Sequence, residues 1–291
     1  MCLNHGLAGK AVTEIRDDHL RADFAVRASA PGQVVLETKA LSKDFGGLHA
    51  VINFNLTLKY KELVGLIGPN GAGKTTIFNL LTGVYPPTKG SIALYGESIL
   101  GRKSHEIISK GVARTFQNIR LFKELSVLDN VKAAFHLRAR ASILDSVLRL
   151  KKFRTEEAEI EEKAVELLSI FHFESRKDQI SKNLPYGDQR KLEIARSLAT
   201  EPGLLLLDEP AAGMNPSETA HLMEMIKWIR DRFSLTILLI EHDMQVVMGI
   251  CERIIVLDYG KTIACGTPSE VRKNPLVIEA YLGEQAKRAE D

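Results

Sequence analysis

Residues Gly68-Pro69-Asn70-Gly71-Ala72-Gly73-Lys74-Thr75 follow the pattern GxxxxGK[ST], a spacing suited to holding phosphate. Glycines let the backbone curl so that successive N–H groups face a β-phosphate, and the positive end of the helix expected over 76–82 adds to the attraction. Lys74 brings a point charge to the β- and γ-phosphates, and Thr75 offers a hydroxyl to Mg²⁺. Asp208 and Glu209 directly follow an apolar run, 204–207. At the end of a buried strand, Asp208 would hold Mg²⁺ through water and Glu209 would polarise an attacking water. His242 follows another apolar run within Ile240-Glu241-His242-Asp243. Singly these residues read as turn glycines, an acidic helix cap and a solvated histidine. In one chain they describe phosphoryl transfer to water.

Such groups need rigid elements to bring them to one rim. The run 63–67 precedes the phosphate loop and has the character of a strand covered on both faces, as do 204–207 and 235–240. In an open parallel sheet the ligand crevice lies beyond the carboxyl ends of the strands. All three runs would therefore deliver their chemistry to the same edge. Ile52, Phe54, Leu56 and Leu58 alternate with Asn53, Asn55, Thr57 and Lys59, a half-buried strand. Residues 254–257, the turn Asp258-Tyr259-Gly260-Lys261 and residues 262–265 read as a hairpin. From about 118 to 200 the chain turns helical. Ser126 followed by Asp129 resembles a capping start, and Ile160, Ala164, Leu167, Leu168 and Phe171 recur at helical spacing. Strand–helix alternation on both sides of this insertion predicts an α/β fold with a mostly parallel sheet.

Composition narrows the partners. The 291 residues carry a net charge of +2, with 45% hydrophobic and 26% charged residues. That is ordinary for a soluble globular chain and gives no electrostatic bias toward nucleic acid. Cys2, Cys251 and Cys265 show neither CxxC spacing nor a nearby histidine pair. They read as reduced thiols rather than a zinc site or a disulfide framework. No stretch approaches the ~18–20 apolar residues of a membrane span, and the charged opening lacks the apolar centre of a signal peptide. Residues 1–33, ending in Ala30-Pro31-Gly32, are expected to be a disordered lead-in, 34–283 the folded domain and 284–291 a charged tail.

The order of the parts resembles one known family. Phosphate loop, Gln117, Leu184-Pro185-Tyr186-Gly187-Asp188-Gln189, Asp208-Glu209 and His242 follow the sequence of motifs in the ATP-binding subunits of ABC transporters, over about 35–284. The resemblance implies a P-loop ABC ATPase with a RecA-like core, an antiparallel β subdomain and a helical signature subdomain, using ATP and Mg²⁺. It implies that Gln117 is the Q-loop glutamine beside the metal, Glu209 the catalytic glutamate and His242 the switch histidine. Phe45 would stack on adenine, and Gly68 through Thr75 with Thr76 would surround the phosphates. Tyr186, Gly187, Asp188 and Gln189 would complete a nucleotide site on a second cassette in a sandwich dimer. Phe45-Gly46-Gly47-Leu48, the stretch from Arg114 to Phe122, Pro210-Ala211-Ala212-Gly213-Met214-Asn215-Pro216 and Glu241-His242-Asp243-Met244 are similar to one branch. That branch energises bacterial high-affinity importers of branched-chain amino acids, and urea and short-amide importers share its architecture. It implies an identical or related second cassette, two membrane permeases and an extracytoplasmic binding protein. It also implies a place on the cytoplasmic face of the inner membrane, with no nucleic acid involved. Ile119, Leu121 and Phe122 would form an apolar lip for a permease helix.

Two positions depart from the general pattern. Pro185 stands where a serine would touch the γ-phosphate and has neither hydroxyl nor N–H. What remains is the N-terminus of a helix expected over 189–199, with free amides at Tyr186 and Gly187. Asn215 replaces an aspartate, keeping its shape without its charge. Other ATP- or GTP-using classes fit less well. No NKxD motif reads guanine, no long heptad repeat marks a chromosome ATPase, and a single phosphate loop argues against a soluble two-cassette protein.

Overall fold

The computed structural model describes residues 32–136 and 151–281. The expected tail and nearly all of the expected lead-in lie outside those residues, as does 137–150 of the helical insertion. In chain order the elements are β1 (Val34–Phe45), β2 (Leu48–Lys59), β3 (Leu63–Ile67), α1 (Lys74–Leu81), β4 (Lys89–Leu94), β5 (Glu97–Ser98) and α2 (Ser104–Ser109). Then come β6 (Val112–Arg114), α3 (Val127–Phe135), α4 (Lys151–Ile170), α5 (Tyr186–Leu198), β7 (Leu204–Asp208) and α6 (Pro216–Phe233). The chain continues with β8 (Thr236–Ile240), α7 (Met244–Ile250), β9 (Arg253–Asp258), β10 (Lys261–Gly266) and α8 (Pro268–Lys273), and residues 275–281 are again helical.

Six strands form one sheet in the order β10-β9-β3-β8-β7-β6, parallel except for the β9–β10 hairpin. The three apolar runs become β3, β8 and β7, adjacent in the sheet and buried at every residue. Alternate side chains serve two cores, as the period of two requires. Leu63, Ile67, Leu205, Leu207, Ile237 and Leu239 join the core shared with α3, α4 and α5. Val64, Leu66, Leu204, Leu206, Leu238 and Ile240 face α1. That second core also takes Val35, Leu41, Phe54, Leu58 and Ile92 from a second sheet, β2-β1-β4-β5, which is antiparallel throughout. Helix α1 thus lies between two sheets, so the phosphate loop at its start is held from both sides.

The insertion folds as its spacing predicts. Ser126 caps α3, its hydroxyl accepting from the Asp129 N–H at 3.0 Å, and Ile160, Ala164, Leu167, Leu168 and Phe171 are all buried. One boundary differs. Helix α5 begins at Tyr186 rather than near 189, because Pro185 serves as N-cap and its carbonyl already accepts from the Gln189 N–H at 2.9 Å. The amides of Tyr186, Gly187 and Asp188 therefore form the first helical turn, with no partner inside the helix.

Candidate active site

The site is built from the carboxyl ends of β3, β7 and β8. After β3 the chain must turn back sharply, and Gly68 and Gly73 make this possible with φ of +152° and +104°. A Cβ at Gly68 would collide with the Leu257 carbonyl, and one at Gly73 with the Ala50 carbonyl, so both positions require glycine. The loop is pinned from outside as well. The Gly260 N–H donates to the Ala72 carbonyl at 3.0 Å, and the Gly260 carbonyl accepts from Ile52 of β2 at 2.8 Å. Lys74 is buried and folds over the loop, its Nζ donating to the carbonyls of Gly68 at 2.6 Å and Pro69 at 2.9 Å.

In front of this loop lies a cavity of about 410 Å³, within the size range of small-molecule sites. Its lining combines the apolar side chains of Phe45, Leu48 and Tyr259 with residues 70–76 of the phosphate loop and the polar groups of Gln117 and Glu209. The Phe45 ring is 41% exposed. Its orientation is set by edge-on contact with Tyr85 at 5.3 Å and by the Lys43 ammonium 4.9 Å from its centroid. Both Thr75, which is exposed, and Thr76, which is half-buried, line the cavity.

Glu209 sits just past β7 with φ +47°, in the left-handed region that an L-residue enters at a cost. Its N–H donates to the Ile240 carbonyl at 2.9 Å, which extends the β7–β8 pairing and throws the carboxylate off the strand end. There Gln117 Nε2 donates to Glu209 Oε2 at 2.8 Å, and His242 Nδ1 stands 3.7 Å from the same oxygen. Gln117, Glu209 and His242 are therefore one cluster. Glu241, fully buried beside them, accepts from the N–H groups of Ala211 at 2.8 Å and His242 at 3.3 Å. Burial raises its carboxyl pKa above the usual glutamate value, more than these backbone bonds lower it.

Asp208 behaves differently from the sequence expectation of an open carboxylate. It does not line the cavity. Arg114 Nη2 donates to its Oδ2 at 2.8 Å, and the two side chains are only 6% and 5% exposed. Arg114 also donates to Asn79 Oδ1 of α1 at 2.7 Å and lies near the rings of Phe116 (4.9 Å) and Phe78 (5.4 Å). Sequence reasoning gave Arg114 no role. The available signal was a charge closing the short apolar strand β6, which a buried site could hold only with a partner.

The signature residues do not line this cavity. Asp188 pairs with Arg176 at 2.7 Å and Gln189 Nε2 donates to the Leu184 carbonyl at 2.8 Å, so both side chains are engaged within their own chain. Asn215 has a local use, its Oδ1 accepting from the Glu218 N–H at 3.0 Å in a capping box that starts α6. The expected apolar lip divides. Phe122 is 53% exposed, whereas Leu121 is half-buried against the main core and Ile119 is half-buried as well.

The family model described as ABC transporter matches residues 51–212, more than half the chain. The chain belongs to the ABC transporter ATP-binding family. A further model, for the branched-chain amino acid ATP-binding cassette transporter, matches residues 261–287 of the cassette. LivG of Escherichia coli (strain K12), a high-affinity branched-chain amino acid transport ATP-binding protein, is 48% identical over 252 residues, 87% of the cassette and 99% of LivG. BraF of Pseudomonas aeruginosa carries the same description and is 48% identical over 250 residues, 86% of the cassette and 98% of BraF. Among solved structures, the ADP conformation of MJ1267, an ATP-binding cassette of an ABC transporter, aligns with a TM-score of 0.75 at 28% identity. It covers 86% of the cassette and 99% of its own chain. The expected P-loop ABC ATPase fold is thus the observed one, and the cassette is a transporter ATPase subunit. Among the described residues no helix is long and apolar enough to cross a membrane.

Proposed function

We infer that the cassette binds ATP with Mg²⁺ between Phe45 and the Lys74 loop and hydrolyses it to drive import of branched-chain amino acids. The observation that carries the chemistry is the convergence of the phosphate loop, Gln117 and Glu209 on one cavity. The donors at the cavity fit the metal: the Thr75 hydroxyl and the Gln117 amide oxygen are hard oxygens of the kind Mg²⁺ prefers, whereas Asp208 is held by Arg114 away from the cavity. When bound, Mg²⁺ neutralises charge on the phosphate oxygens. The amides of the loop through Thr76 and the Lys74 ammonium cradle the phosphates, while Phe45 offers a face to the base. Glu209 orients and deprotonates the attacking water. Gln117 and His242, already on Glu209, hold its carboxylate and meet the γ-phosphate.

The signature segment Tyr186, Gly187, Asp188 and Gln189 acts on a nucleotide held by a second cassette, since its free amides lie at the start of α5 and away from its own cavity. Two permeases and an extracytoplasmic binding protein complete the importer, and the cassette works at the cytoplasmic face of the inner membrane. The cargo reading rests on LivG and BraF, whose descriptions name branched-chain amino acids. Residues 34–283 form the working unit, with 118–200 inserted. Replacing Glu209 by Gln tests the reading. Loss of a general base lowers turnover about 10²- to 10⁴-fold, while the ATP Kd stays near that of the unaltered chain. Phosphate release above a few per cent of normal would remove Glu209 from this role.

A further inference from the structure

The loop 116–120 carries Gln117 yet has no strand or helix of its own to satisfy its backbone, and one face of α5 does that instead. Arg190 is fully buried, and its Nη1 donates to the Phe116 carbonyl at 2.6 Å while Nη2 donates to the Gln117 carbonyl at 2.7 Å. Glu193, three residues on and equally buried, pairs with Arg190 at 2.8 Å. Its other oxygen accepts from the N–H of Arg120 at 3.1 Å and of Phe116 at 3.4 Å. Two side chains thus hold four backbone groups. Arg190 also reaches Tyr186 Oη at 3.2 Å, and the Tyr186 ring faces Gly213, where an added Cβ would meet it at 3.5 Å.

Stability alone does not explain this pair. Replacing a buried ion pair with apolar residues of similar volume is often neutral or favourable. Arg190 Nε, moreover, has no hydrogen-bond partner among the described residues, a further cost. What the pair does supply is position. From α5 the path runs through Arg190 to the Gln117 backbone, and through the Gln117 side chain to Glu209.

We propose that Arg190 and Glu193 are positioning residues that join the start of α5 and the Gln117 loop into one rigid lever. A nucleoside triphosphate on a second copy of the cassette, engaging the N-terminus of α5, then shifts the Gln117–Glu209 contact in this copy. The proposal rests on the reading that α5 meets a partner's nucleotide. The mechanical half, that helix and loop move together, stands apart from it.

The test has two arms. The double variant Arg190→Met/Glu193→Leu removes both charges at similar volume. We expect its ATP Kd within about twofold of the unaltered chain and its kcat at saturating ATP at least tenfold lower. A kcat within twofold would overturn the proposal, and a parallel loss of Kd and kcat would reduce the pair to a structural role. The second arm uses the unaltered full chain without nucleotide and needs no variant to fold. The amides of Phe116 and Arg120 should exchange with deuterium as slowly as those of 192–195 in α5. Exchange more than tenfold faster would show that loop and helix open separately and would overturn the lever. If the unaltered chain bound no ATP, the proposed function would fall while the exchange arm still decided the lever.

Discussion

Replacing Arg114 by Met exposes how the Asp208 carboxylate is held. The change keeps side-chain length and packing against Phe78 and Phe116 but removes the only cation on Asp208 that the described ion pairs contain. With both side chains about 95% buried, the orphaned carboxylate has little water to turn to. Breaking a buried pair by removing one partner costs about 3–5 kcal/mol, a large part of the ~5–15 kcal/mol that holds a domain together. For a domain of this size ~2–4 °C per kcal/mol converts that to a thermal midpoint lower by roughly 6–20 °C. A second change identifies the cause. Arg114→Met/Asp208→Asn leaves no buried charge, so it should recover at least half of the lost midpoint even though the Asn79 bond stays broken. Calorimetry on the four proteins of the cycle measures the coupling directly. The reasoning fails if Arg114→Met lies within about 1 °C of the unaltered protein, or if the double variant melts no higher than Arg114→Met.

Three further outcomes are expected. Glu241 has a folded pKa raised by burial above the ordinary glutamate value of 4.5, so its contribution to stability is complete below that pH and is lost as pH rises through the folded value. The midpoint difference between Glu241→Gln and the unaltered protein should therefore move in the variant's favour from pH 4.5 upward, and a pH-independent difference in calorimetric scans would count against it. Burial pushes the Cys251 thiol up to about 12, leaving about one thiolate in 10⁴ at pH 8, while Cys265 is exposed. Iodoacetamide followed by peptide mass spectrometry should label Cys265 quickly and Cys251 only on unfolding. Replacing the exposed Phe122 by Asp should leave ATP affinity intact and abolish co-purification with the proposed membrane permeases, and a normal yield of complex would rule out a docking role.

The strands that carry the chemistry were legible because a continuous apolar run bounded by a turn has few other uses: β3, β7 and β8 follow directly from it. The Ser126–Asp129 cap was legible for a similar reason, since the bond it makes is local. Strand β1 was not. Its alternation is broken by Ala40 at φ +48° and by register shifts between Thr38 and Leu41, so no period of two survives to be read. Arg114, Arg190 and Glu193 were missed because a charge in sequence signals solvent unless its partner is visible. Asp208 lies 94 positions from Arg114, and the Gln117 carbonyl 73 positions from Arg190. The start of α5 was placed late because Tyr186-Gly187-Asp188 reads as a loop. Only the geometry shows Pro185 as its cap, a position where proline's missing N–H costs nothing.

The left-handed backbone at Glu209 makes that position a place where folding and the proposed general-base role pull in opposite directions. Glycine would occupy the same φ without the ~1–2 kcal/mol that an L-residue gives up, a factor of roughly five to thirty in the folded-to-unfolded ratio. A population selected for thermal endurance alone would therefore drift toward glycine at residue 209, gaining robustness and, on the proposed role, losing turnover. On the proposed role of Glu209, an acid that persists there under such pressure is the mark of a chain still selected for turnover.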